Sequence, residues 1–212
     1  MLDNSTADWR AKRRANATAD IVEAAWELAR ENGLAGLSLR DLARRLGMAA
    51  PSLYSYFSSK HALYDAMFAD GYRALLATEP PATGPDLRTV VLSGAEIFTR
   101  FALDDPVRFQ LLNLRTIPGF EPSPEAYALA QQAFDQLTGP LHLWLDLTQE
   151  DLDLLTAFVG GLISAQFANE PGGTRWVGLL EDAIDLVLPR LQTKAKKRPA
   201  TRVRSVSKEK KP

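Results

Sequence analysis

At 212 residues, 46% of them hydrophobic, the chain is long enough for one or two domains with a real core. The lack of cysteine excludes a disulfide framework and a thiolate metal site. With a polar N-terminus and no apolar run near the roughly 18 residues of a membrane span, a soluble cytoplasmic protein with no membrane partner is expected.

The net charge of −1 hides an uneven distribution: nine Lys/Arg against nine Asp/Glu in residues 1–72, seven against sixteen in 73–191, and nine against one in 192–212. The acidic middle would be repelled by phosphate, so any nucleic-acid contact falls to the first segment or the tail. Residues 1–14 read as a loose arm ending in Arg10, Lys12, Arg13 and Arg14. Ile21, Ala24, Ala25, Leu28 and Ala29 then recur on one helical face until Asn32-Gly33 stops the helix. Ser38 starts a second helix, and its spacing to Asp41 fits a capping box. Leu39, Leu42, Ala43 and Leu46 form its buried stripe, and Gly47 ends it. Pro51 suits the first turn of a third helix, which Leu53 and Phe57 anchor inward. A fourth helix begins near Ser58 or Ser59 and turns Leu63, Ala66, Met67 and Tyr72 inward.

The run Glu79 to Pro85, rich in proline, is the strongest punctuation, and it places a domain boundary between Tyr72 and Pro85. Helical segments are expected over 86–104, 106–115, 123–145 with a break near Thr138-Gly139-Pro140, 149–169 and 173–191. The polar, basic residues 192–212 should be disordered.

Four pieces combine in a specific pattern: L-S-L-R-D-L-A over 37–43, Leu46-Gly47, S-L-Y-S-Y-F over 52–57, and S-K-x-x-L over 59–63. Across about 20–68 this resembles the TetR family of bacterial transcriptional regulators. The resemblance implies an all-α fold of about nine helices. An N-terminal three-helix helix-turn-helix DNA-binding domain (1–72, with the arm 1–14) would precede a helical ligand-binding and dimerisation bundle (73–191) and the tail.

It also implies that the third helix lies in the major groove of double-stranded operator DNA. The physics agrees, because a groove about 12 Å wide admits one helix whose leading side chains are small. Ala49, Ala50, Pro51 and Ser52 are all small. Ala50 and Pro51 offer only apolar contact, as to a thymine methyl, while Ser52 and Ser55 offer hydrogen bonds with little base discrimination. Tyr54 and Tyr56 suit phosphate, with one of them in reach of bases. Lys60 matches the family's phosphate lysine, and Ser38 and Arg40 should face phosphate beside the free amides of the second helix. The third helix lacks Arg, Asn and Gln, so preference would rest on shape, methyl contacts and water. Arg44 and Arg45 stay open between DNA contact and a solvated face. The basic arm stays open between a DNA contact and a flexible leader, and the tail between nonspecific DNA attraction and a solubilising extension.

For 73–191 the resemblance implies a bundle that pairs two subunits and encloses a small-molecule pocket. Phe98, Phe101, Phe109, Leu112, Tyr127, Phe134 and Trp144 are candidates for its wall or for ordinary core. Gln131 and Gln166 are polar candidates beside Asn113, Arg115 and His142. Residues 152–167 and 176–191 carry more apolar positions than one buried face needs. That suggests a homodimer built on Phe158, Gly161, Leu162, Ala165, Trp176, Leu180, Ile184 and Val187, the alternative being burial within a single subunit.

No catalytic set emerges. The chain has only two histidines, His61 and His142, no G-x-S-x-G, no phosphate loop and no metal-spaced cluster, so no enzyme, metal or cofactor is expected. Asp104-Asp105 and Glu150-Asp151-x-Asp153 fall at helix starts, a structural place for carboxylates. The resulting expectation is a repressor released from DNA by a small-molecule effector. The alternative is a small-molecule binding protein with a vestigial head, which the missing polar readers at Ala49-Ala50 keep open.

Overall fold

The computed structural model describes residues 3–196. Among these the chain forms nine α-helices and two short 3₁₀ turns, with one isolated bridge between Leu145 and Ala195 and no other strand pairing. The helices are α1 (Asp3–Gly36), α2 (Leu39–Arg45), α3 (Ala50–Tyr54), α4 (Lys60–Leu76), α5 (Leu87–Asp104), α6 (Pro106–Asn113), α7 (Pro124–Thr138), α8 (Gln149–Asn169) and α9 (Leu180–Gln192).

The first correction concerns the arm. Residues 3–14 are not loose but form the opening turns of α1. Ala11, Ala15 and Ala17, with Arg10, Lys12, Arg13 and Arg14, are strong helix formers, and no glycine or proline interrupts them. Charge clustering suggested an arm, but propensity wins. The regular helix breaks at Gly33, whose φ of 73° is the left-handed conformation expected after a helix end.

The first core joins α1 to α2, α3 and α4. Ile21, Ala25 and Leu28 of α1 meet Leu42, Leu53, Leu63, Tyr64 and Met67, all buried. The Tyr64 hydroxyl donates to the Leu34 carbonyl, so its polar end is satisfied inside. Helix α4 then leaves this core. Its later residues Phe68, Ala69 and Leu75 sit in another cluster, with Phe101, Leu112, Ala126 and Ala133 of α5, α6 and α7. A third core, under α5, α8 and α9, holds Val90, Val91, Phe109, Leu145, Ile163, Ile184 and Leu191. One rigid helix therefore belongs to two cores.

Side-chain caps set most boundaries. Ser38, Ser59, Asp86, Asp105, Ser123 and Thr148 each accept the amide three residues on. The Ser38 cap is half of the expected box, since the Asp41 carboxylate pairs with Arg44 at 2.7 Å. Thr148 and Asp151 form the full reciprocal box. The 123–145 segment breaks at Gly139-Pro140 into a 3₁₀ turn, Gly139–Leu143. The last helix starts at Leu180 rather than 173. Gln166 Oε1 accepts the Trp176 amide at 2.8 Å and Glu170 Oε2 accepts the Arg175 amide at 2.9 Å, which satisfies this stretch outside a helix.

Residues 192–196, expected to be disordered, are pinned. The Asp146 amide donates to the Lys194 carbonyl and the Lys196 amide to the Trp144 carbonyl, both at 2.9 Å. Asp151 pairs with Arg190 at 3.4 Å and Lys194 at 3.5 Å. The rest of the expected disordered tail lies outside the described residues.

Helix α8 corrects another expectation. Among the described helices it alone is long and apolar enough to cross a membrane by length and composition, yet only 22% of its most apolar window is buried. It packs on α5 and α9. The bundle thus accounts for one face and leaves the other apolar and uncovered.

Candidate nucleic-acid interface and internal cavity

Helices α2 and α3 meet across a tight turn. Gly47 holds φ 64° there with nothing within 4 Å of a would-be Cβ, so the backbone and not crowding requires glycine. Helix α3 has only five residues and no side-chain cap. Its stability comes from Leu53, fully buried, and from Phe57 just beyond it. With these facing inward, Ala49, Pro51, Ser52, Tyr54 and Ser55 are exposed. Ala50 is half-buried against the core. The result is a short, blunt helix with small groups leading and one large ring, Tyr54 at 53% exposure, projecting from it.

The flanking candidates divide. Arg40 is exposed in the first turn of α2 beside the Ser38 cap, with free helix amides around it. Ser55 turns its hydroxyl back to the Ser52 carbonyl at 2.7 Å. Tyr56 is half-buried against the core. Lys60 donates to the Ala35 carbonyl at 3.0 Å and lies 5.4 Å from the Tyr64 ring centre, so it holds the end of α1 as well as facing outward. Arg44 and Arg45 are both paired with acids: Arg44 with Asp41, and Arg45 with Glu31 and Glu27.

Arg14, read from the sequence only as part of a basic arm, has a structural place at the interface. Its guanidinium donates to the Ser55 carbonyl at 2.7 Å and lies 5.0 Å from the Tyr56 ring centre. It clamps the start of α1 to the end of the turn carrying α3. Arg14, Thr18, Ile21 and Ala25 share one helical face, which would have tied this arginine to the core stripe. Arg13 lies 4.8 Å from the ring of Trp9, itself 57% exposed, so α1 carries a basic aromatic ridge N-terminal to Arg14.

The head is tied to the body through Asp105. This buried carboxylate caps α6 and accepts two bonds from Arg30 of α1, at 3.0 and 2.7 Å, with Arg108 at 3.5 Å. Trp26 Nε1 donates to Asp70 of α4 at 2.9 Å. The sequence placed Asp105 at a helix start but not its arginine from another helix.

A cavity of about 710 Å³ opens in the body, lined by α4, α5, α7, the Gly139–Leu143 turn and α8. Of the expected wall residues it takes Phe98, Tyr127, Gln131 and Phe134, together with Asn113 and His142 from the polar set. Phe101, Phe109, Leu112, Trp144 and Gln166 do not line it. Phe101 and Leu112 pack in the α4–α7 core, while Phe109 is in the α5–α9 core with Trp144 against it. Gln166 is fully buried and spends both ends of its amide on the backbone of Glu170 and of Trp176 and Val177. Among the lining groups, burial first and then neighbouring Tyr127 push the Tyr72 phenol up to about 12, so it stays neutral.

The expected pairing face is also redrawn. Leu180, Ile184 and Val187 point into their own subunit, with Ile184 only 1% exposed. On the other side of the helix the exposed Glu181 and Asp185 pair with Arg88 of α5, at 3.0 Å and 2.6 Å. Trp176 is half-buried, its amide held by Gln166. The exposed apolar groups are Phe158 at 37%, Leu179 at 44% and Leu186 at 76%. Gly161 is exposed between turns of α8, with Leu162 and Ala165 half-buried.

Residues 21–67 match the family described as bacterial regulatory proteins, tetR family. An HTH-type transcriptional regulator of Mycobacterium tuberculosis is 32% identical over 123 residues, which are 56% of this chain and 53% of that protein. The class D tetracycline repressor of Escherichia coli is 34% identical over 83 residues, 39% of this chain and 38% of that one. The chain thus spans about half the length, or less, of these curated relatives. In fold it is similar to a TetR variant from Acinetobacter baumannii AYE in complex with minocycline. The TM-score is 0.56 at 22% identity, over 82% of this chain and 94% of the other.

Proposed function

We propose that this chain, which belongs to the TetR family of bacterial regulatory proteins, is a homodimeric transcriptional repressor that leaves operator DNA when a small molecule fills the body cavity. One observation carries the reading. The α3 surface from Ala49 to Ser55 presents small exposed groups and one projecting phenol over an anchor of Leu53 and Phe57. A helix of that profile can approach base edges closely, and apolar groups at its tip suit thymine methyls. Arg40, Tyr54 and the Arg13–Arg14 ridge supply phosphate contacts on either side, which position the helix without reading sequence.

Pairing through the outward face of α8, with Phe158, Gly161, Leu162 and Ala165, and through Leu186 of α9 would cover the surplus apolar surface. It would also present two α3 helices to one face of a duplex, about 34–36 Å apart or a multiple of a turn. An effector acts only to the degree that it prefers the conformation with the wrong spacing. The shared helix α4 and the Arg30–Asp105–Arg108 cluster are the parts both domains grip, so they would carry that preference.

A gel shift with the DNA upstream of the chain's own gene tests this. A chain cut after Lys196 should keep specific binding and show a flatter salt dependence. Loss of all binding in that deletion would favour nonspecific coating by the tail. Failure of the full chain at low salt on all surrounding fragments would favour the vestigial-head reading.

A further inference from the structure

We propose that the body cavity takes a cationic, aromatic small molecule. The inference rests on reading that cavity as the effector site. Its wall is mostly apolar and holds four rings: Tyr72, Phe98, Tyr127 and Phe134. No lysine or arginine is among the lining residues, while two carboxylates are, Asp135 of α7 and Asp153 of α8.

Neither carboxylate is in an ion pair among the described residues, although ten such pairs occur elsewhere on the chain, so neither is neutralised. Asp153 takes one bond from the neutral Gln149 amide, at 2.8 Å. The cations at the C-terminal end of the body are committed elsewhere. Arg190 and Lys194 go to Asp151, and Lys196 goes to Asp146 and the His142 carbonyl.

Helix direction adds to this on one side and subtracts on the other. The last turn of α7 brings Asp135 and Thr138 to the wall, at the negative end of its dipole. The first turn of α8 brings a positive end worth roughly half a charge, which the full charge on Asp153 outweighs. An anion would meet two carboxylates, with His142 the one basic side chain among the lining residues. A cation meets carboxylates on the wall, and the four aromatic rings that line it offer cation–π contact. The balance of residues 73–191, seven Lys/Arg against sixteen Asp/Glu, gives the body as a whole the same sign.

Three fluorescent or coloured probes of similar size separate the possibilities on the full-length protein: crystal violet (a cation), N-phenyl-1-naphthylamine (neutral) and 1-anilinonaphthalene-8-sulfonate (an anion). Crystal violet should bind at one per subunit, at least about tenfold tighter than the sulfonate. The double variant Asp135→Asn/Asp153→Asn should weaken it about tenfold and leave the neutral probe unchanged. Glu125→Gln/Glu150→Gln, which removes nearby acids outside the wall, should change nothing. Ala130→Trp, which fills the cavity, should abolish binding without altering the circular dichroism.

Equal binding of cationic and neutral probes, both indifferent to the Asp135/Asp153 pair but blocked by Ala130→Trp, overturns the charge preference and leaves the cavity reading standing. No binding of any probe overturns both.

Discussion

The head and the body dispose of their apolar side chains in opposite ways. In the head, Leu37, Leu42, Leu53, Leu63 and Met67 are sealed at 1% exposure or less. Of the large rings left outside, Trp9 and Tyr54, the second stands on the proposed DNA face. In the body, Leu143, Phe158, Leu179 and Leu186 stand exposed, and an apolar cavity opens between α7 and α8. A closed core makes a rigid unit whose surface is finished by small polar groups. A body with apolar surface to spare invites association, on the proposed reading with a second copy on one side and a ligand within. The lesson is one of division: rigidity belongs where geometry must match DNA, and surplus apolar area belongs where association is required.

Truncation should expose that contrast most strongly. Leu53→Ala removes the anchor of a five-residue helix from a fully buried site. It should cost about 2–5 kcal/mol of stability in urea melts, whereas Leu186→Ala should shift them little. Comparable losses at both sites would erase the distinction.

The joint between the regions comes next. Asp105→Asn leaves the α6 cap in place but weakens the bonds from Arg30 and Arg108. A loss of about 1.5–3 kcal/mol is expected, with DNA affinity becoming less sensitive to effector. Unchanged coupling would remove this cluster from the path between the sites.

Leu186→Glu sharpens the comparison from the body's side. Dimer dissociation should rise by more than about tenfold in sedimentation experiments, with the subunit's own melting preserved. The same charge placed on a closed core would unfold it.

The smallest effect is acid sensitivity. Hydrogen bonds from Thr148, with Lys194 nearby, hold the Asp151 carboxyl down at about 2. An unfolded aspartate titrates near 3.9. The folded value is the lower one, so the stabilisation is complete above pH about 4 and disappears as pH falls toward 2. Asp151→Asn should therefore flatten part of the acid limb of the body's stability curve. An acid limb as steep as that of the parent chain would contradict the assignment.

The head was the more legible region for the same physical reason that it is rigid. Its periodicity, the Ser38 and Ser59 caps, Gly47 and the Leu53/Phe57 anchors act within a few residues of one another, so their effects are written locally. The body was read less well because its decisions are made at long range. Whether the apolar stripe of α9 is covered within its own subunit or by a second copy depends on α5 and α8, which pack on it from far along the chain. Which aromatic rings reach the cavity depends on how α7 and α8 lie over α5, and periodicity cannot distinguish a wall from a core. Even in the head, the long-range Arg14–Ser55 bond was missed, and charge clustering misled where helix propensity ruled.

The central claim is that the exposed edge beginning at Ala49 enters the major groove twice per dimer. The most direct measurement is a titration of operator DNA with the parent chain and with Ala49→Glu, which adds a bulky negative charge at an exposed position outside the core. Two chains per site are expected for the parent, and for the variant an intact dimer with specific binding lost by at least about a hundredfold. Binding of the variant at parental affinity would contradict the claim.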